Sequence, residues 1–88
     1  MFLFKTKNYK KSVLSLSAKD KIFLNKQEKL LIDNIFNSQL HTKRLQGFPE
    51  THVFSFRITK RYRGIFRIEK DRIVLFAICH RKDIYKAF

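Results

Sequence analysis

THVFSFRITKRYRGIFRIEKDRIVLFAICHRKDIY, residues 51–85, holds three apolar runs laced with arginine and separated by the two-residue links Thr59-Lys60 and Lys70-Asp71. Strand side chains repeat every two residues. In 51–58, His52, Phe54, Phe56 and Ile58 therefore share one side, with Val53, Ser55 and Arg57 on the other. In 61–69, Tyr62, Gly64, Phe66 and Ile68 lie together, opposite Arg61, Arg63, Ile65 and Arg67, so one face is greasy and the second cationic. The run 72–79 loses its polar alternation from Ile73 onward, as in a strand covered on both sides, and is expected to be the central strand. The two polar links suit hairpin turns. Beyond them the chain turns polar at His80, Arg81, Lys82, Asp83, Ile84 and Tyr85, where a strand would deliver these groups to the end of the sheet.

A greasy sheet face needs a cover, and the first half of the chain offers one. Residues 2–7 (FLFKTK) read as a short strand. Asn8 is an N-cap type, and Tyr9, Val13 and Leu16 follow at helical spacing, which predicts a short amphipathic helix over 8–16. Ser17-Ala18-Lys19-Asp20 reads as a variant capping box opening a second helix over 18–36. Its stripe of Phe23, Leu24, Leu30, Leu31 and Ile35 is read as core, with a possible break at the polar block 25–29. Residues 37–50 contain Gly47 and Pro49, the chain's one proline, and read as a connecting loop kept basic by His41, Lys43 and Arg44. The expected fold is a single α+β domain over residues 1–88, in the order β-α-α-β-β-β, with a mainly antiparallel sheet packed on an N-terminal helical pair.

Composition narrows the function. Of the 88 residues, 44% are hydrophobic and ten are Phe, so the chain folds despite its charge. Lys and Arg total 20 against 7 acidic residues, a net +13 that attracts polyanions such as nucleic acid or acidic protein segments and suits small-molecule metabolism poorly. The single Cys79 lies within an apolar run and reads as a small buried hydrophobe, without a disulfide framework. His41, His52 and His80 are widely spaced with no CxxC or HxxxH pairing, so neither metal nor other cofactor is expected. The apolar run 73–79 is far short of the ~18 residues a membrane-spanning helix needs, and the first nine residues lack a signal core, so a cytoplasmic protein without membrane contact is expected.

Arg57, Arg63 and Arg67 on the open sheet face, with His80, Arg81 and Tyr85 at the strand end, would form a basic groove. Guanidinium groups hold phosphates bidentately and keep their charge, while histidine and tyrosine can move protons. Arg61, Lys82, Lys43 and Arg44 are the further candidates for RNA contact. The same pattern also suits ordinary solvated arginines in a very basic protein.

The order of elements over nearly the whole chain, with Leu45-Gln46-Gly47, Tyr62-Arg63 and His80-Arg81-Lys82-Asp83-Ile84-Tyr85 in sequence, resembles the RelE/ParE toxin superfamily. The resemblance implies a toxin of a type II toxin-antitoxin pair, neutralised by a cognate antitoxin, that enters the ribosome and cuts mRNA as an endoribonuclease. It assigns Arg63 to the scissile phosphate and matches Arg81 to the arginine after the last strand, Tyr85 to the late tyrosine and Arg57 to a frequent arginine of the preceding strand. His80 resembles a histidine of some ribosome-dependent members. Two departures stand out: members with paired lysines would place them at Val53 and Ser55, and members with a loop glutamate would have it near Lys43. Two other readings stay open, a ParE-like toxin that inhibits DNA gyrase without cutting, and a non-enzymatic basic RNA-binding module.

Overall fold

The computed structural model describes residues 2–46 and 52–84. Strand β1 (Phe2–Lys5) leads into helix α1 (Lys7–Leu14) and helix α2 (Ala18–Asp33). A single 3-10 turn (Ser38–Leu40) and the two-residue β2 (Lys43–Arg44) follow, then β3 (Val53–Arg57), β4 (Tyr62–Glu69) and β5 (Arg72–His80). The five strands form one sheet in the order β1-β5-β4-β3-β2, antiparallel except for the parallel pair β1 and β5. This is the expected α+β plan, with β2 as an extra strand inside what reads as a connecting loop. Strand β5 is interior, but β4 is the middle strand.

The helices cover one face. Tyr9, Leu16, Leu24 and Leu31 pack with Phe56, Ile58, Phe66, Ile73 and Leu75 into the main core, so the greasy side of each strand meets the helical pair as its parity requires. The opposite face carries a small cluster of Val53, Ile65 and Ile84, against which Leu45, Phe76, Ala77 and Cys79 pack.

Local details differ from the sequence reading for physical reasons. Helix α1 is capped by Thr6, whose Oγ1 accepts from the Tyr9 N–H at 3.2 Å, not by Asn8. Thr6 also donates its N–H to the Leu75 carbonyl at 3.0 Å, so the sheet ladder hands the chain directly to the helix. Ser17 caps α2 as expected, accepting from the Asp20 N–H. Helix α2 ends at Asp33, because Asn34 leaves helical geometry and its side chain accepts from the Phe36 N–H, closing an Asx turn.

The polar block 25–29 does not break α2. Gln27 and Glu28 are buried and continue the face of Leu24 and Leu31 at helical spacing. Gln27 Nε2 donates to the Gln39 and Arg57 carbonyls at 3.0 and 2.7 Å. Glu28 accepts from the Tyr9 hydroxyl at 2.9 Å and pairs with Lys5 Nζ at 2.9 Å. Burial, then the neighbouring carboxylate, pushes the Tyr9 phenol well above its ordinary range, so it stays a neutral donor. Phe23, one position off that face, is 43% exposed and is not core.

Strand β5 lacks polar alternation because both its faces are covered, Val74 being as buried as Ile73 and Leu75 on either side of it, and it is also irregular. The register with β4 shifts between Ile65↔Ala77 and Phe66↔Leu75, making Phe76 the extra residue of a β-bulge. Ile73 and Leu75 face the helices, Phe76 and Ala77 both pack on the opposite cluster, and Ile78 returns to the helix side. The Lys70-Asp71 link is a two-residue turn between the paired Glu69 and Arg72, with Lys70 at φ 54.

Two stability outcomes follow from this packing. Glu28→Ala, which leaves the buried Tyr9 hydroxyl unsatisfied, should cost about 3 kcal/mol, and Tyr9→Phe about 1 kcal/mol, in urea unfolding. Gly64 lies in register with Phe56, and a Cβ there would overlap the Phe56 ring. Gly64→Ala should therefore cost roughly 1–3 kcal/mol, partly recovered in a Phe56→Leu background, and equal losses in both backgrounds would contradict the contact.

Candidate functional site

A groove of about 360 Å³ opens on the face away from the helices, between the outer end of β3 and the turn after β5. His41, Lys43, Ser55, Arg57, Arg63, Arg81, Lys82 and Ile84 line it, so five Lys or Arg side chains and an imidazole converge. Parity explains the convergence. Ser55, Arg57 and Arg63 point away from the helices, Arg57 stands opposite Arg63, and Lys43 stands opposite Ser55. Like charges gathered in one concavity repel one another and focus a field that draws in an anion.

Arg63 is anchored. Its Nη1 donates to the Thr59 and Tyr62 carbonyls at 2.7 and 3.1 Å, which fixes the guanidinium before any ligand arrives. Thr59 is itself held in a tight turn, its Oγ1 accepting from the Arg61 and Tyr62 N–H groups. Arg81 sits just beyond β5 and extends the ladder by one step, its N–H donating to the Arg61 carbonyl at 2.7 Å. Ile84, buried in the small cluster, holds the following turn against the sheet.

The sequence-derived candidates divide by location. Arg57, Arg63, Arg81, Lys43 and Lys82 meet in the groove. His80 stands on the helix side of the sheet, in register with Tyr62, with ring centroids 5.9 Å apart. Its Nδ1 accepts from the Lys82 N–H at 3.2 Å, so His80 shapes the turn that presents Arg81 and Lys82 and lines no part of the groove. Arg67 lies farther along the open face, paired with Glu69 and over the Phe76 ring. Glu69 also binds Arg72, and the two guanidiniums hold its carboxyl below the usual carboxylate range. Arg44 pairs with Phe54, which puts it on the helix side, and Arg61 lines a neighbouring cleft. Tyr85 lies outside the described residues, as do Gly47, Pro49 and Glu50.

The sequence reading passed over His41 and Ser55 as site residues. His41 closes the 3-10 turn at φ 48 and ψ 43, and its Nε2 lies 3.5 Å from Arg57 Nη1. Its placement depends on the carbonyl of Gln39 being bound by Gln27, a tertiary contact that no local pattern announces. Cys79 is half-buried on the groove side of β5, opposite Arg63. Burial, then Asp83, pushes its thiol up, so it remains a thiol at neutral pH. Among the described residues no cluster of His, Cys, Asp and Glu is placed to hold a metal ion, and no helix is long and apolar enough to cross a membrane.

No protein-family model and no curated protein matches the sequence. Solved structures do match. A YoeB/ParE toxin from Agrobacterium tumefaciens superposes with a TM-score of 0.77 at 17% identity, covering 92% of this chain and 99% of that one. The Escherichia coli DinJ–YafQ toxin-antitoxin complex gives 0.76 at 15% identity, covering 94% of each chain. The archaeal RelE–RelB complex from Pyrococcus horikoshii gives 0.74 at 16%, covering 91% and 92%. Two helices on one face of a mostly antiparallel five-stranded sheet, matched over nearly the full length of these chains, give this protein the RelE/ParE toxin fold.

Proposed function

We propose that this chain is the toxin of a type II toxin-antitoxin pair and acts as a ribosome-dependent mRNA endoribonuclease in the cytoplasm. The observation that carries the reading is the groove in which Arg63, anchored by backbone carbonyls, meets Arg81, Arg57, Lys43 and Lys82. Similar folds are described in complex with antitoxins, RelB with RelE and DinJ with YafQ. By analogy a cognate antitoxin is the resting partner, and a net charge of +13 favours one with acidic segments.

The chemistry asks for three things. The ribose 2′-OH loses its proton as its oxygen attacks phosphorus, the phosphorane gains negative charge, and the P–O5′ bond breaks as O5′ takes a proton, leaving a 2′,3′-cyclic phosphate. Arg63 and Arg81 stabilise the phosphorane, with Arg57 and Lys82 on the neighbouring phosphates. Lys43 supplies an ammonium beside Ser55, a strand away from where lysine-bearing members of the family would carry theirs. For proton transfer the position of His41 on the groove wall favours it over His80, which lies across the sheet. Tyr85 is the other candidate, as a proton carrier or as a base-stacking ring.

Expression without an antitoxin should arrest growth, and primer extension should reveal cut message on translating ribosomes. Arg63→Ala and Arg81→Ala should each lower the cleavage rate about a hundredfold, corresponding to ~3 kcal/mol of lost transition-state stabilisation, with thermal unfolding little changed. His41→Ala should be as damaging as either, whereas His80→Ala should act more weakly and through the turn. An inactive His80→Ala beside an active His41→Ala would move the proton work to His80. Growth arrest with no cleavage by the wild type would favour the gyrase-directed reading instead.

A further inference from the structure

A second cavity, about 810 Å³ and more than twice the groove's 360 Å³, lies between the first turns of α2 and the β3–β4 turn. The two cavities share His41 and Arg57 in their walls, so they adjoin at the outer edge of β3. Strand β2 pairs only with Ser55 and Phe54, which leaves the outer side of β3 without a strand neighbour at Arg57. There the edge is closed by Gln27, whose amide takes the Arg57 carbonyl and forms part of the cleft wall.

The cleft is cationic around an aromatic ring. Lys19 and Lys26 sit four residues before and three after Phe23, on the same face of α2, and Lys60 and Arg61 face them from the turn. Asp20 is the one carboxylate among its described lining residues. Phe23 keeps 43% of its surface exposed here, while Leu24 beside it is 2% exposed in the core.

We propose that this cleft is a second subsite for single-stranded RNA, holding nucleotides that run on from the scissile position. The inference rests on the nuclease reading of the adjoining groove. Phe23 serves as a stacking platform for a base, a use that tolerates any sequence because every base has a π-face, and the flanking lysines take phosphates. Continuity with the groove through His41 and Arg57 favours RNA over an acidic protein segment. An amphipathic helix would also seek a broad apolar seam, and the cleft offers Phe23 with the buried Ile58.

The test uses labelled 2′-O-methyl single-stranded RNA, which lacks the attacking hydroxyl, in two lengths: roughly four nucleotides, filling the groove alone, and roughly twelve, long enough for both cavities. Fluorescence anisotropy is measured on the full chain for the wild type, Phe23→Ala, Lys19→Glu with Lys26→Glu, and Arg63→Ala. The cleft variants should weaken the longer RNA about tenfold and leave the shorter unchanged, and the double variant should lower the salt slope for the longer RNA by about two. Arg63→Ala should weaken both. Equal affinity of the cleft variants and the wild type for the longer RNA would overturn the subsite while leaving the groove's role standing. Loss of polyglutamate binding with RNA binding intact would overturn it in favour of a protein partner. Failure of the wild type to bind either RNA would remove both readings together.

Discussion

Helix α2 buries two consecutive polar side chains, and the arrangement of the molecule follows from how each is satisfied. An amide or carboxylate under a helix costs several kcal/mol unless hydrogen-bonded. Gln27 meets the demand by binding the carbonyls of Gln39 and Arg57, which fastens helix, 3-10 turn and sheet edge at one point. Glu28 meets it through Tyr9 of α1 and Lys5 of β1, which fastens the helical pair to the other edge of the sheet. Apolar residues there would bury as much surface but would not specify which carbonyl or hydroxyl lies across from them. These two side chains supply direction to a core that is otherwise Leu, Ile and Phe.

The groove is downstream of that fastening. His41 follows the turn that Gln27 holds, and Arg57 is the residue whose carbonyl it holds. On the other wall, Arg63 is braced by backbone oxygens and Arg81 by the continued ladder. The cations thus stand on rigid elements, and close apposition of so many positive groups is tolerated because stability is secured on the far face of the sheet. Separating the stabilising face from the charged one lets the site carry unfavourable electrostatics without loosening the core.

Much of the plan was legible in the sequence because it rests on parity. Phe54, Phe56, Tyr62 and Phe66 against Arg57 and Arg63 gave the two faces directly, and Ser17 announced α2. The helix caps at Thr6 and Asn34 were harder, since several polar residues competed within a few positions. Gln27 and Glu28 looked like a break because their partners are distant in sequence. His41 was hidden for the same reason, and His80 was placed in the groove because it ends the strand, while the bulge that leaves it on the helix side has no mark in the sequence. Periodicity reports what faces a core, and it is silent on which buried polar group has found a partner.

The bulge at Phe76 shows how narrow that dependence is. Between Leu75 and His80 the strand makes one parity error, and everything beyond it changes sides. Pairing β5 with β4 without the bulge at constant length, so that Phe76 and not Ala77 stood opposite Ile65, would invert the terminal segment: the imidazole now behind the sheet would come to the cationic side, and the Cys79 thiol would pass under the helices. In a lineage of such domains, loss of the bulge at constant strand length would exchange which side chain is offered to a phosphate without altering any site residue, whereas deleting Phe76 itself would leave the later side chains on their present faces. The inventory of reactive groups at the end of this sheet is therefore set by counting as much as by chemistry.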